Sequence, residues 1–136
     1  MTPIFQRTLA KSVPDYLPVA EELERYCAEQ ELPQALTFKL RLVVEELILN
    51  LIDHAVGSAD NRIDLRIELD PERVAVILED DCTPFDPRSA PAFDADKPLE
   101  ERGPRGMGIH LVRTMTQNLT YERAGSRNRL KVEVKR

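Results

Sequence analysis

The sequence predicts an α+β two-layer sandwich, with helices on one face of a mixed, mostly antiparallel sheet. Its segments follow the order β-α-α-β-β-loop-α-β-β, so helices and strands are segregated more than strictly alternated. The strand-like runs alternate apolar and charged residues, which is typical of a sheet that is covered on one face only. The chain has 136 residues, a length that suits one compact domain, and we expect a single domain over residues 1–136.

The chain begins with a predicted strand and a capped helix. The run "IFQRTL", residues 4–9, is typical of a short strand. Ser12 is a candidate N-cap with Asp15 at the N3 position, a variant of the capping box, and a helix is expected over about 14–30. The helical period assigns four residues to its inner face: Leu17, Ala20, Leu23 and Cys27.

A second helix is expected to begin at Pro33, to run over about 33–56 and to end at Gly57, a natural C′ residue. Most of its residues form a wide apolar stripe, but the stretch "EELILNLIDH" carries Glu46 and Asn50 one helical turn apart. A buried carboxylate and a buried amide need partners. These two side chains therefore face either solvent at an exposed helix edge or a ligand that uses them.

Two strand-like runs follow, "RIDLRIEL" and "RVAVILED", which "DPE" joins into an antiparallel hairpin. The second strand ends in "LEDDCTPFDP", residues 78–87, with Glu79, Asp80 and Asp81 side by side. Acids at a strand end often mark a turn. A carboxylate at this place can also accept a hydrogen bond from an exocyclic amine such as that of adenine.

Residues 82–105 contain five of the ten prolines and show no periodicity, which in a small domain indicates a functional or a disordered loop. The loop leads into "RGPRGMGIHLV", where Gly103, Gly106 and Gly108 precede a helix. Glycines and the free N–H groups of a helix start suit a phosphate, although a flexible loop before a helix gives the same pattern. The segment is neither a Walker loop nor a Rossmann fingerprint.

The last helix is expected over about 108–117, and two alternating strands, "NLTYER" and "RLKVEVK", follow across "AGSRN". Residues 121–136 contain six cations and two carboxylates, so this segment carries +4 and the remainder of the chain −9. The basic segment is either an exposed strand face with solvated charges or a contact surface for an acidic partner or a phosphate.

Composition excludes several classes of function. Apolar residues make up 42% of the chain and charged residues 32%, as in soluble globular proteins. No apolar run is long enough to span a membrane, and the first residues lack the pattern of a signal peptide. A net charge of −5 disfavours direct nucleic-acid binding. Cys27 and Cys82 do not form a disulfide or zinc pattern, so we expect free thiols in the cytoplasm.

Taken together, the three polar clusters resemble those of the GHKL (histidine-kinase-like) ATPase superfamily. "EELILN" resembles the N box, with Glu46 and Asn50 at the E-x-x-x-N positions. "EDDCTPFDP" resembles the G1 box, in which Asp80 holds adenine, and "GPRGMG" resembles the G2 box. The resemblance covers essentially the whole chain and implies ATP and Mg²⁺ as cofactors, with an ATP lid over about 86–105.

The sequence departs from the superfamily pattern at two places. The G1 box normally reads Asp-x-Gly, but Cys82 occupies the third position, where a Cβ and a thiol either crowd the adenine end or change the strand-to-loop turn. Arg105 interrupts the G2 box and either contacts a phosphate or is a solvated lid residue. With Gly106, Met107 and Gly108, these residues complete the predicted nucleotide contacts.

The phrases "VVEELILNLIDHA", "PFDP", "GMGIHLVRTM" and "YERAGSRNRLKV" resemble the anti-sigma-factor serine/threonine protein kinases, which are small stand-alone GHKL proteins without a phosphoacceptor-histidine domain. This resemblance implies three partners. They are a STAS-domain anti-anti-sigma factor that is phosphorylated on serine, a sigma factor or other output protein, and a second copy in a possible homodimer.

The same resemblance implies a role for each motif residue. Glu46 is the catalytic base, Asn50 binds Mg²⁺, Asp80 selects adenine, and the amides of Gly106 and Gly108 hold phosphates. Two alternatives remain open. One is a module that sequesters a partner without kinase activity, and the other is a general ATPase or a detached histidine-kinase catalytic domain.

Overall fold

The structure is a computed structural model that describes residues 4–54, 61–84, 86 and 108–136. Its elements are β1 (Phe5–Ala10), α1 (Val13–Glu29), α2 (Gln34–His54), β2 (Arg62–Leu69), β3 (Arg73–Asp80), α3 (Gly108–Met115), β4 (Gln117–Ala124) and β5 (Arg127–Lys135). This is the predicted order. The predicted helix end at Gly57 and the predicted lid, apart from Asp86, lie outside the described residues.

The five strands form one sheet in the order β1-β2-β3-β5-β4. All four neighbouring pairs are antiparallel. The α+β fold class is therefore confirmed. The parallel pairing that a mixed sheet allows does not occur among the strands that the structure describes.

The core lies between the helices and one face of the sheet. Strict alternation in β2 buries Ile63, Leu65 and Ile67 completely, while the charged residues between them stay partly exposed. The helices bury residues at helical spacing against this face: Leu23, Leu40, Val44, Leu47 and Ile48. Within the described residues, no helix has the length and apolarity that a membrane span requires.

The N-cap of α1 is confirmed, but one residue of its inner face is not. Ser12 Oγ accepts a hydrogen bond from the Asp15 N–H at 3.3 Å and also donates one to the Asp15 carboxylate. Leu17, which we assigned to the core, is 57% exposed. The buried side chains of α1 are Tyr16, Val19, Ala20, Leu23, Tyr26 and Cys27. Burial of the two tyrosine rings shifts the inner face away from Leu17.

The hairpin between β4 and β5 is tighter than the sequence suggested. Ala124 pairs with Arg127, so only Gly125 and Ser126 remain in the loop, and Gly125 takes the left-handed conformation at φ +61°. The predicted connection "AGSRN" thus contributes its first residue, Ala124, to β4 and its last two, Arg127 and Asn128, to β5. In the register of β3 and β5, Asn128 lies directly opposite Asp80.

Candidate functional site

Three consecutive acids at the end of β3 have three different environments. Glu79 lies on the open face of the sheet, where its carboxylate is 3.3 Å from Nε of Arg127. Asp81 is exposed and accepts a hydrogen bond from the Arg62 N–H at 3.0 Å, the largest of several causes that lower the pKa of Asp81. Asp80 alone is buried, with 2% of its surface exposed, and it follows the inward-facing residues of the strand.

The Asp80 carboxylate is held by two donors that end on the same oxygen. The Cys82 N–H donates to Oδ1 at 3.0 Å, which makes a turn at the strand end, and the side-chain amide of Asn128 donates to Oδ1 at 2.9 Å. Asp80 and Asn128 are the only buried polar or charged residues in the part of the chain that the structure describes. Neither of these bonds uses Oδ2. The Cys82 thiol also makes a side-chain hydrogen bond with the carboxylate, and the carboxylate keeps lone pairs for a further donor such as an exocyclic amine.

Asn128 connects Asp80 to the loop after β3 and to the hairpin that follows the last helix. Its Nδ2 also donates to the backbone oxygen of Thr83 at 3.0 Å and, more weakly, to that of Cys82 at 3.4 Å. Its Oδ1 accepts from the Tyr121 hydroxyl and from Nη1 of Arg123 at 3.2 Å. The same Arg123 nitrogen donates to the Cys82 oxygen at 2.8 Å. The turn after Asp80 is thereby fixed from the β4–β5 side.

The sequence alone does not predict Asn128 as a site residue, because the run "AGSRN" is typical of a turn. A usable signal was nevertheless present. Asn128 continues the alternating buried set of β5, which otherwise consists of Leu130, Val132 and Val134. Asp80 stands in the same relation to the buried residues of β3. A polar residue at a buried position of an alternating strand needs a hydrogen-bond partner inside the protein. Such a residue at a strand end therefore indicates that another polar group lies close to it.

Cys82 is buried in the hydrophobic core, with 2% of its surface exposed. Burial, followed by the negative charge of Asp80, raises the pKa of the Cys82 thiol to about 11, so the thiol is protonated at neutral pH. Among the described residues, only Glu31, Asn118 and Gly125 have positive φ. The turn at position 82 therefore does not require glycine, and the Cβ is compatible with this backbone. Crowding of adenine by this side chain stays a prediction.

Glu46 and Asn50 lie on α2 with partly exposed side chains. The neighbouring Leu47, Ile48 and Leu51 are buried, so the two polar residues flank the apolar stripe. The negative charge of Glu46 also affects the pKa of Tyr16 in α1. Burial raises the pKa of Tyr16 to about 12, and the charges of Glu45 and Glu46 add to this effect against the opposing charge of Arg41. The edge of α2 that carries Glu46 and Asn50 is therefore partly accessible and lies near Tyr16 of α1.

The third predicted cluster is described only in part. Arg105, Gly106 and Met107 lie outside the described residues, and Gly108 is the first residue of α3. This helix packs against α2. The structure thus places the helix that follows the Gly-rich segment beside the helix that carries Glu46 and Asn50.

The donor set on α2 fits a magnesium ion that is shared with phosphates. Across the residues that the structure describes, no three His, Cys, Asp or Glu side chains form a cluster that could hold a metal ion. Asn50 offers one amide oxygen at a partly exposed position. Mg²⁺ keeps several waters and is commonly bound by one or two protein oxygens together with substrate phosphates.

Known proteins are similar to this chain in sequence and, more distantly, in structure. The sequence profile of the family described as "Histidine kinase-like ATPase domain" matches residues 10–134. No curated protein matches the chain at a significant level. Among solved structures, the Acinetobacter baumannii histidine kinase AdeS is similar over 98% of this chain and 68% of that chain, with a TM-score of 0.49 and 15% identity. Because the family profile spans nearly the whole sequence, this chain belongs to the histidine kinase-like ATPase domains, a family of nucleotide-binding ATPase and kinase domains.

Proposed function

We propose that the protein is an ATP-dependent serine/threonine protein kinase that acts as an anti-sigma factor or partner-switching regulator. Its substrate in this proposal is a serine on a STAS-type anti-anti-sigma antagonist. One observation carries the proposal. Asp80 is the single buried acid at the end of β3, and α2 presents Glu46 and Asn50 at an accessible edge of a histidine kinase-like ATPase domain.

The nucleotide contacts follow from the donors and acceptors of the site. Asp80 accepts the exocyclic amine of adenine, since the bonds from the Cys82 N–H and the Asn128 amide both end on Oδ1. The amides of Gly106 and Gly108 hold the phosphates at the start of α3. Asn50 binds Mg²⁺ through its side-chain oxygen. The ion, when bound, offsets charge on the phosphates as the γ-phosphoryl group leaves.

Glu46 is the general base of the proposed reaction. It lies one helical turn from Asn50, so its carboxylate and the amide oxygen belong to the same edge of α2. The carboxylate orients the serine hydroxyl of the partner and takes its proton as the serine oxygen bonds to the γ-phosphorus. The bond between this phosphorus and the bridging oxygen of ATP breaks in the same step, and ADP leaves. The partly exposed side chain of Glu46 is consistent with a substrate that arrives on another protein.

The proposed partners are a STAS-domain antagonist and a sigma factor or other output protein, with a homodimer as the proposed assembly. We place the protein in the cytoplasm, where these partners and ATP occur. Its two cysteines, Cys27 and Cys82, are free and buried, as expected in a reducing compartment.

The test is incubation of the protein with radiolabelled ATP, Mg²⁺ and a STAS protein from the same genome. We expect label on a STAS serine, located by mass spectrometry. Glu46→Gln is the matched control, because it keeps the size of the side chain and removes the base. It is expected to abolish transfer while ATP affinity, measured by calorimetry, is kept. Transfer by Glu46→Gln at the wild-type rate contradicts the assignment of the base.

A second variant tests the metal ligand. Asn50→Ala is expected to remove the Mg²⁺-dependent part of nucleotide affinity, and unchanged affinity in calorimetry would count against Asn50. Cys82, in place of the glycine of the G1 box, favours the alternative of a partner-sequestering module. That alternative predicts partner binding without nucleotide and no label on any STAS residue. Label on a histidine instead of a serine would indicate a histidine-kinase catalytic domain.

A further inference from the structure

Two strands that are distant in sequence bring the buried polar residues of the chain together. Asp80 at the end of β3 and Asn128 near the start of β5 are direct partners in the antiparallel register, although they lie 48 residues apart. Both are 98% buried. We propose that Asn128 is a positioning residue that orients the Asp80 carboxylate for recognition of the amino group of the nucleotide base. This inference rests on the proposed nucleotide-binding function.

The hydrogen bonds of Asn128 assign it to positioning and not to direct contact with the base. A side-chain amide has two N–H donors and one oxygen with two lone pairs. The donors are used by Asp80 Oδ1 at 2.9 Å and by the Thr83 oxygen at 3.0 Å. The oxygen accepts from Tyr121 and from Arg123. Because the hydrogen-bond donors and the acceptor of the Asn128 amide are used within the protein, Asn128 affects nucleotide binding through Asp80.

The hydrogen-bond partners of Asn128 also determine which way its side-chain amide faces. The Arg123 guanidinium can only donate and the Asp80 carboxylate accepts, so the oxygen of Asn128 points to Arg123 and its NH₂ group points to Asp80. The Tyr121 hydroxyl then donates to the same oxygen. A flipped amide would set its oxygen against the carboxylate of Asp80 and its NH₂ group against Arg123. The β4–β5 hairpin therefore selects the orientation in which the amide donates to Asp80.

The two carboxylate oxygens of Asp80 have different roles in base recognition. Cys82 N–H and Asn128 Nδ2 both hold Oδ1, which fixes the plane of the carboxylate and leaves Oδ2 with a lone pair for the ligand. A fixed acceptor favours a base with an amino group over one with a keto oxygen, because the keto oxygen offers no donor. Without Asn128, one of the two donors on Oδ1 is lost and the carboxylate is free to turn.

The experiment compares the affinities of ATP and inosine triphosphate, in which a keto oxygen replaces the amino group of adenine. Dissociation constants are measured in Mg²⁺ for the wild type, Asn128→Ala and Tyr121→Phe. We expect the wild type to prefer ATP, and Asn128→Ala to reduce this preference by about tenfold. Tyr121→Phe removes one donor to the amide oxygen and is expected to have a smaller effect in the same direction.

Asn61→Ala is the matched control. Asn61 makes the same kind of bond, from Nδ2 to the neighbouring carboxylate of Asp81 at 2.9 Å, but Asp81 is exposed. Its replacement is expected to leave the ratio of the two affinities unchanged. A loss of preference in Asn61→Ala as large as that in Asn128→Ala would show a general effect of stability and overturn the inference.

The remaining outcomes separate the inference from the proposed function. If the wild type binds neither nucleotide, the proposed function fails and the inference fails with it. If the wild type prefers ATP and Asn128→Ala weakens both ligands equally, the inference alone is wrong. If circular dichroism shows that Asn128→Ala does not fold, Tyr121→Phe decides. A reduced preference then supports the positioning role, and an unchanged preference overturns it.

Discussion

Polar residues have different environments on the two faces of the sheet. On the face covered by helices, the described polar or charged residues that are buried, Asp80 and Asn128, bond to each other. On the open face, charges form chains of ion pairs such as Arg127 with Asp64, whose side chains are 38% and 33% exposed. Solvation explains the charges of the open face. It does not explain the buried carboxylate of Asp80, which is stabilised instead by hydrogen bonds from Cys82 and Asn128.

The basic segment, residues 121–136, contacts charged residues of neighbouring strands. Arg127 and Arg129 in β5 lie near Glu79 of β3 at 3.3 and 3.7 Å, and Arg129 also lies near Glu122 of β4 at 3.7 Å. Arg123 is directed to the Cys82 oxygen and Asn128. The contacts of Arg127 and Arg129 with carboxylates of neighbouring strands favour the interpretation of an exposed strand face over that of a contact surface for a phosphate.

The largest difference between the faces is expected in the free energy of unfolding. Leu65 is completely buried, and Leu65→Ala is expected to cost about 2–5 kcal/mol because it leaves a cavity. Its neighbour Arg66 faces the open side, and Arg66→Ala is expected to cost less than about 1 kcal/mol. Urea denaturation measures both values. Equal losses would contradict the assignment of the two faces.

Nucleotide affinity is expected to distinguish the buried Asp80 from the exposed Asp81. In Asp80→Asn, the side-chain oxygen keeps the bonds from Cys82 and Asn128, and the new NH₂ group meets the amino group of adenine, donor against donor. We expect ATP affinity to fall by roughly 10- to 100-fold. Asp81→Asn is the control and is expected to bind ATP as the wild type does. Calorimetry that finds equal losses in the two variants would remove the special role of Asp80.

A smaller effect is expected from ion pairs on the open face. Arg127 contacts Asp64 and Glu79 with all three side chains about a third exposed, so solvent screens the interaction. A double-mutant cycle of Arg127→Ala and Asp64→Ala is expected to give a coupling energy below about 1 kcal/mol that decreases with salt. A coupling that is larger and insensitive to salt would mean that the open face is stabilised like an interior.

The weakest effect is expected from pH. Hydrogen bonds lower the pKa of three acids, two of them exposed and the third, Glu133, partly buried. The chief bonds run from the Glu72 backbone to Asp70, from the Arg62 backbone to Asp81 and from the Arg73 side chain to Glu133.

A lowered pKa in the folded state stabilises the protein above the unfolded values of 3.8 for Asp and 4.5 for Glu, and this contribution is lost as the pH falls below them. Urea denaturation between pH 7 and pH 3 should therefore show a decline that begins near pH 5. Asp81→Asn should make the decline shallower, and an identical pH profile for this variant would contradict the role of Asp81.

The sequence by itself determined the class of the fold and the order of its elements. Strict alternation from Ile63 to Leu69 is enough to define a half-buried strand, and Ser12 followed by Asp15 is enough to begin a helix. These signals are local, because the period of the pattern and the cap depend only on neighbouring residues. The three polar clusters were found in the same way, since each is a short run of residues.

Only the tertiary structure decided which distant residues meet. Leu17 fits the inner face of α1 by its period, but burial of Tyr16 set the phase of the helix. Asn128 fits a turn by its neighbours, but pairing of β5 with β3 placed it opposite Asp80. Both outcomes depend on how the whole sheet and its helices bury their apolar surface. That register is a property of long-range packing, which no local pattern encodes.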